Sequence, residues 1–174
     1  ERKLRLEPHE RDHAYEPNKA LRGYRRLRDD VLFFATSFGT PTTRRIRHLL
    51  EQDGIVAFPA SHSTEMAEHE HTPPTGPSYK IEAMRALDFA VEQAESPEDL
   101  EPGILYHGGD YGRDGLAGWR QAAEARGIEI VAREKIARGA TDVTASLQAL
   151  EEAGANWVLL SILPSSTAPV LKTA

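Results

Sequence analysis

The sequence predicts an α/β protein with parallel sheets, divided into two lobes. Short apolar runs alternate with amphipathic helical patterns along its 174 residues. A single helix separates each pair of predicted strands, and a crossover of that length makes neighbouring strands parallel. A proline-rich segment, Pro59–Pro77, interrupts the alternation and is predicted to be an irregular connector. The α/β runs on either side of it are therefore interpreted as two lobes.

The first run is predicted to read β-α-β-α-β. Lys3–Leu6 is a short strand candidate, and a helix begins at about Pro17, because proline is favoured at the first helical position. Val31–Ala35 is a continuous apolar run, typical of a strand buried in a parallel sheet. A helix over Thr42–Gln52 and a strand over Gly54–Phe58 complete this half.

The second run begins with a helix and continues the alternation. The helix Ser78–Ala94 is followed by the strand Gly103–His107, by a helix over Gly115–Arg126 with Asp114 as its cap, and by the strand Ile128–Ile136. The residues expected on the core side of the first of these helices are Ile81, Met84, Leu87 and Val91.

The final part of the chain repeats the pattern once more. Thr141 or Asp142 is expected to cap a helix that Gly154 closes. Asn156–Ile162 is the last predicted strand, and residues 163–174 begin another helix. Because the sequence starts and stops inside elements, we expect the chain to be incomplete at both ends.

Composition excludes several classes of protein. Lys and Arg number 21 against 27 Asp and Glu, a formal net charge of -6, whereas nucleic-acid binders usually present a basic face. No run approaches the roughly 18 apolar residues of a membrane helix. The absence of cysteine excludes disulfides, thiolate metal sites and cysteine nucleophiles. We therefore expect no nucleic-acid partner.

No catalytic or cofactor motif is present in the sequence. The glycines at 108, 109, 112 and 115 lack the spacing of the dinucleotide fingerprint, and there is no phosphate loop or nucleophile elbow. Ser61 beside His62 is not a catalytic pair, because such partners meet in space rather than in sequence. Asp110 and Asp114 are interpreted either as an acid pair or as a helix cap and a turn residue. An enzyme is therefore not expected, and neither is a cofactor.

Three histidines form the remaining candidate for metal chemistry. His62, His69 and His71 lie among glutamates and offer the nitrogen and oxygen ligands that zinc accepts. An H-x-H pair in an acidic segment is more often a solvated surface, so no metal site is expected.

The predicted sheets indicate where a ligand would bind. In parallel α/β sheets, ligands bind at the carboxyl ends of the strands. That rule selects the loops Thr36–Thr43, Pro59–Ser63, Gly108–Asp114 and Ser161–Thr167. Three of them are rich in hydroxyl residues, which together with free N–H groups at helix starts suit a carboxylate. The alternative is that these serines and threonines only cap helices. The third loop adds Tyr111, whose ring suits stacking against a compact ligand or hydrogen bonding to it.

Several segments carry a resemblance to a known family: DDVLFFATSFGTPTT, GIVAFPASHS, GPSYKIEAM and ILYHGGDYGRDGLAGWRQAAEARGIEIVAREKIARGATDVTASLQALEEAGANWVLL. The chain resembles the substrate-binding proteins of ABC importers of the leucine/isoleucine/valine-binding type. The resemblance implies the type I periplasmic binding fold, with two Rossmann-like lobes joined by crossing strands. Residues 1–72 would then be part of the first lobe and residues 73–174 part of the second.

The resemblance also implies a ligand site. Gly39 and Thr40 match the first-lobe loop that holds the ligand carboxylate, and Ser61 and Ser63 match the second carboxylate-binding segment. Tyr111 matches the second-lobe tyrosine that closes over the ligand. A shifted alignment places two other residues in the second segment, Ala60 and His62.

The function implied by the resemblance is that of an extracytoplasmic solute receptor. It would capture a small polar ligand, an amino acid or a related carboxylate or amide, between two lobes that close about a hinge. Its partners would be this ligand and the membrane permease of an ABC importer, and its location periplasmic or extracellular and membrane-anchored. The alternative is a ligand-sensing regulatory domain of the same fold.

Overall fold

The computed structural model describes residues 5–173. The chain forms two compact units, one up to Thr75 and the other from Gly76 onward. The predicted lobe boundary lay after residue 72, and the observed division falls inside the proline-rich segment. Val31–Ala35 and Gly103–His107, the two runs predicted as strands of different lobes, lie in different units.

Unit 1 consists of a two-stranded parallel sheet with helices packed on it. Its elements are α1 (Pro17–Leu27), β1 (Phe34–Phe38), α2 (Thr40–Asp53), β2 (Ala57–Ala60) and the short α3 (Thr64–Ala67). Its buried core is made by α1, α2 and β2, and its members are Leu21, Tyr24, Ile46, Leu50 and Ala57.

The two strands of unit 1 begin later than the apolar runs that predicted them. Leu32 is 91% exposed and Phe33 42% exposed, and pairing begins only at Phe34, whose N–H donates to the Val56 carbonyl. Apolarity predicts a strand, but the partner strand decides which residues pair. Gly54 is the left-handed cap of α2 at φ 65° and closes that helix, so β2 begins three residues further on.

Two further expectations for this half need correction. Lys3 and Leu4 lie outside the described residues, and the rest of the predicted strand Lys3–Leu6 is not in a strand, with Leu6 exposed. The Pro59–Pro77 segment is less irregular than predicted, because it contains the end of β2 and the single turn of α3. Met66, 1% exposed, anchors that turn in the interior of unit 1.

Unit 2 is a three-layer α/β arrangement. Its sheet has the order β4-β3-β5, all parallel, formed by β3 (Pro102–His107), β4 (Ala132–Ile136) and β5 (Trp157–Ser161). The helices are α4 (Tyr79–Gln93), α5 (Asp110–Glu124), α6 (Thr144–Glu152) and α7 (Pro164–Thr173), with a 3-10 turn at Pro97–Asp99. The prediction of parallel strands is confirmed in both units.

Successive residues of the central strand β3 enter two separate cores. Ile104 packs with Leu87 and Trp119 of α4 and α5, whereas Leu105 packs with Leu150 and Val170 of α6 and α7. Side chains alternate between the two faces of a strand, so helices on both faces bury the whole of β3.

Helix α5 begins earlier than predicted. Gly109 is its N-cap residue, so Asp114 lies inside the helix and not at its cap. The N-cap residue of α6 is Val143 and not Thr141 or Asp142 as predicted, although the Asp142 carboxylate accepts the Thr144 N–H at 3.1 Å and has a lowered pKa because of that bond. Strand β4 begins at Ala132 rather than Ile128, because the Ile128 N–H still bonds to Ala123 at the end of α5.

Helix α5 packs through a face of glycines. A Cβ at Gly118 would lie 2.0 Å from the Lys80 carbonyl oxygen of α4, and one at Gly112 would lie 2.0 Å from the His107 carbonyl oxygen of β3. This close approach explains why α4 buries the small residues Ala83 and Ala90 beside Leu87. Two residues of its predicted core stripe, Met84 and Val91, are partly buried, and a third, Ile81, is 51% exposed.

Replacement of Gly118 by alanine is expected to destabilise unit 2. The added methyl group meets a backbone oxygen that cannot rotate away, and overpacking of this kind costs about 1–3 kcal/mol. Urea unfolding followed by circular dichroism should show a lower free energy of unfolding. The neighbouring exposed position gives the control, since Ala117→Ser should change stability by less than about 0.7 kcal/mol. A Gly118→Ala protein as stable as the parent would contradict the close packing.

Candidate functional site

The carboxyl ends of β1 and β2 lie side by side in unit 1. Phe38 is in register with Ala60, and the Gly39 N–H donates to the Ala60 carbonyl at 3.3 Å. Gly39 has φ 88°, and a Cβ there would lie 2.4 Å from the Tyr15 ring, so glycine is required at this turn. Helix α2 starts at the next residue, Thr40, which puts its N-terminus directly at the end of the sheet.

The two segments predicted to bind a carboxylate meet at this point. The Thr40 and Ser61 hydroxyl oxygens are 2.7 Å apart, and both residues are 1% exposed. Ala60 belongs to β2, while the His62 ring nitrogen lies 3.2 Å from the Thr75 hydroxyl. The structure thus brings the Ser61 hydroxyl to the Thr40 hydroxyl, and the assignment of this segment to a ligand carboxylate stays a prediction.

Ser63 differs from the other hydroxyl residues of this region. It is 1% exposed, and its hydroxyl has no hydrogen-bond partner within residues 5–173. It occupies the N-cap position of α3 without a side-chain capping bond, and Gly39, the N-cap of α2, has no side chain to supply one. Helix capping, the alternative explanation for serine at this position, therefore does not describe Ser63.

The neighbouring hydroxyls are bonded inside unit 1. The Thr43 hydroxyl lies 2.9 Å from the Ser37 hydroxyl and 3.0 Å from the Ser37 carbonyl oxygen. The Thr42 hydroxyl donates to the carbonyls of Phe38 and Gly39. These three side chains hold the start of α2 against the end of β1, and their role is structural.

Tyr111 lies in the first turn of α5, at the carboxyl edge of the unit 2 sheet. Its hydroxyl donates to the Ile162 carbonyl at 3.2 Å, just beyond the end of β5. Its ring meets Tyr79 edge-on, with centroids 4.6 Å apart. The adjacent Asp110 pairs with Arg113 at 2.7 Å, an ion pair within one helix turn. Tyr111 is thus held by a β-strand end and by a second aromatic ring.

Sequence reasoning missed the buried His107 at the same edge, and it selected the loop that contains the buried Ser166 without naming that residue. His107 ends β3 at 2% exposure, its Nδ1–H donates to the Ile136 carbonyl at 3.3 Å, and its Nε2 has no partner within the described residues. Ser166, in the first turn of α7, is fully buried, and its hydroxyl is likewise unpartnered in that part of the chain. A polar residue that ends an apolar strand, as in GILYH, was the available signal for the histidine.

Burial determines the protonation of His107. Loss of solvent lowers its pKa below the ordinary 6.5, the bond to Ile136 opposes that shift, and the charge of Arg138 adds to it. The histidine is therefore neutral at pH 7 in the folded protein.

Parallel α/β units with polar groups at helix starts define a class of small-molecule-binding proteins. The sequence matches the model of the periplasmic binding protein family over residues 2–174, and the chain belongs to that family. Members of this family are solute-binding proteins that act outside the cytoplasm. The predicted type I fold and the predicted family are confirmed.

Solved structures of ABC substrate-binding proteins are similar to this chain. The fatty acid ABC transporter substrate-binding protein from Thermomonospora curvata is 25% identical, with a TM-score of 0.84 over 93% of this chain and 41% of its own. A branched chain amino acid ABC transporter protein from Thermus thermophilus with bound valine is 23% identical, with a TM-score of 0.81 over 93% and 43%.

A third similar structure comes from Rhodopseudomonas palustris HaA2. This solute binding protein, in complex with p-hydroxybenzoic acid, is 18% identical, with a TM-score of 0.82 over 94% of this chain and 45% of its own. The chain thus spans less than half the length of these relatives.

A search of curated protein sequences found no match. Between residues 5 and 173 no helix is both long and apolar enough to cross a membrane.

The stability of unit 2 is expected to fall in mild acid because of His107. Below pH 6.5 the unfolded chain takes up a proton that the folded protein, with its lowered pKa, does not, so the free energy of unfolding decreases as pH falls. Urea unfolding between pH 7.5 and 5.5 should show this decrease, with a smaller slope in His107→Gln. His48→Gln, at an exposed site, is the control and should keep the parent slope. Equal slopes for all three proteins would contradict a buried neutral His107.

Proposed function

We propose that this chain is the ligand-binding part of an extracytoplasmic receptor and that unit 1 holds the carboxylate of a small ligand at the start of α2. The observation that carries the proposal is the Ser63 hydroxyl, buried and unpartnered within residues 5–173. A buried hydroxyl without a partner costs free energy, so its retention is best explained by a ligand that completes the bond. Ser63 lies two residues beyond Ser61, whose hydroxyl is paired with Thr40 at the first residue of α2.

The start of α2 supplies the matching electrostatics. This helix has 14 residues, and no side chain caps its N-terminus. The partial positive charge of a helix N-terminus favours an anion, and the first-turn N–H groups lack intrahelical partners. One hydroxyl of the Thr40–Ser61 pair keeps a free proton, because only one of the two can donate to the other, and the Ser63 hydroxyl adds a second donor. This donor set suits a carboxylate.

The proposed ligand is an amino acid or a related small carboxylate or amide. The three similar structures described above are named for fatty acid, valine and p-hydroxybenzoic acid, and each of these ligands carries a carboxylate. A carboxylate site in unit 1 is consistent with all three. Octanoate, L-valine and 4-hydroxybenzoate therefore form a rational first panel for titration.

The proposed partner is the membrane permease of an ABC importer. Substrate-binding proteins of such importers capture their ligand by closing around it, and the ligand favours the closed state because it binds that state more tightly. A membrane-anchored location in the periplasm or outside the cell, without enzymatic activity, belongs to this proposal. It is supported by the family to which the chain belongs.

Removal of the Ser63 hydroxyl is expected to weaken ligand binding. In the complete protein, Ser63→Ala should lose about 1.5–3 kcal/mol of binding free energy for the carboxylate that the parent binds, because a hydrogen bond to a charged group disappears. Isothermal titration calorimetry with the three-carboxylate panel measures this. Ser146→Ala, the same chemical change on α6 of unit 2, is the control and should leave affinity unchanged. Equal affinities for Ser63→Ala and the parent would contradict the site.

Tyr111 is proposed as a ligand contact of unit 2. In the complete protein, Tyr111→Ala is expected to weaken binding by about 1–3 kcal/mol, the range for losing an aromatic contact and a hydrogen bond. Tyr111→Phe is the matched control for the bond to Ile162 and should keep the ring contribution. Calorimetry measures affinity, and a thermal melt measures stability. Unchanged affinity, or a large fall in melting temperature, would show that Tyr111 is structural.

A further inference from the structure

The single turn α3 determines where the Ser63 hydroxyl lies. Four residues are too few to form a stable helix alone, so contacts outside the turn must hold it. Two such contacts are neutral: Met66 is buried, and the Thr72 hydroxyl donates to the Met66 carbonyl at 2.8 Å. They hold the far end of the turn, three residues beyond Ser63.

A charged contact holds the near end of α3. Glu65, two residues after Ser63, accepts hydrogen bonds from two arginines of α2: Arg44 Nη2 reaches Oε2 at 2.5 Å, and Arg47 Nη1 reaches Oε1 at 2.7 Å. The arginines are three residues apart and therefore lie on one face of the helix. One carboxylate thus joins α3 to α2 through both of its oxygens, an arrangement that restricts position as well as distance.

Helix α2 therefore contacts the serine segment on both sides of Ser63. On one side Thr40 bonds to Ser61, and on the other Arg44 and Arg47 bond to Glu65. We propose that Glu65 is a positioning residue that keeps the Ser63 hydroxyl where a carboxylate at the start of α2 can accept its hydrogen bond. This inference rests on the proposed carboxylate site and assigns that site a residue that does not touch the ligand.

The exposure of these groups indicates that their role is positional and not mainly stabilising. The side chains of Glu65, Arg44 and Arg47 are 41%, 37% and 24% exposed, and ion pairs this accessible to water add little to global stability. Loss of the pairs should therefore free α3 locally and leave the rest of unit 1 folded.

Electrostatics alone predicts that loss of the Glu65 charge strengthens ligand binding, which is the opposite of what a positioning role predicts. Two arginines face one carboxylate, so neutralising Glu65 makes this part of unit 1 more positive and would attract an anionic ligand more strongly. A positioning role predicts weaker binding despite the added positive charge. The sign of the change in affinity therefore separates the two explanations.

The test compares Glu65→Gln with the parent in the complete protein. The probe is whichever of L-valine, 4-hydroxybenzoate and octanoate the parent binds in calorimetry. Glu65→Gln is expected to bind it about five- to tenfold more weakly, with a melting temperature close to that of the parent. Glu65→Asp, which keeps the charge but shortens the side chain, should also lose affinity. Glu68→Gln removes a charge from an exposed position of the same segment and should bind like the parent.

A double-mutant cycle tests whether Glu65 acts through Ser63. If it does, Glu65→Gln costs no further affinity once Ser63 is already alanine, whereas a merely structural effect adds to that of Ser63→Ala. Additive losses, or equal or tighter binding by Glu65→Gln, would overturn the positioning role. If Ser63→Ala weakens binding but Glu65→Gln does not, this inference fails and the carboxylate site stands. If the parent binds none of the three probes, both fail.

Discussion

A strand of a parallel sheet can be followed by its neighbour only after the chain has crossed back along one face of the sheet, because both strands must run in the same direction. Each crossing here is made by a helix, so strand ends and helix starts meet repeatedly at the carboxyl edge. In unit 1 this brings Gly39 and Thr40 to the end of β2. In unit 2 it brings Tyr111 to the residue that follows β5. The candidate binding residues of the chain therefore lie at this edge, where backbone groups at strand ends and helix starts have no partner in a sheet or a helix.

Most hydroxyl groups at this edge serve the architecture. Ser37, Thr42 and Thr43 bond to one another or to nearby carbonyls, and they hold the start of α2 against the end of β1. Their burial is compensated inside unit 1, so they need no ligand. Ser63 shares their burial but has no such compensation in the described part of the chain. The presence or absence of a hydrogen-bond partner, more than the residue type, distinguishes a structural hydroxyl from a candidate binding group.

Close packing in unit 2 depends on three glycines of α5, because they have no side chain. Gly112 and Gly118 let α5 approach the backbone of β3 and of α4, and Gly115 leaves room for the Ser161 side chain. The same approach draws the start of α5 to the end of β5, where the Tyr111 hydroxyl reaches Ile162. The glycine face thus links the packing of the unit to the placement of its candidate ligand contact.

The sequence by itself determined the alternation of helices and strands, the parallel direction of the strands, and the loops at which polar residues collect, because these follow from local periodicity and crossover length. It could not determine where Val31–Ala35 or Gly54–Phe58 begins to pair, since register depends on a partner strand. It selected Gly39, Thr40, Ser61, Ser63 and Tyr111 through a family resemblance. Only the tertiary structure brought Thr40 to Ser61, left the Ser63 hydroxyl unpartnered and joined Glu65 to α2, because these contacts unite residues about 20 positions apart.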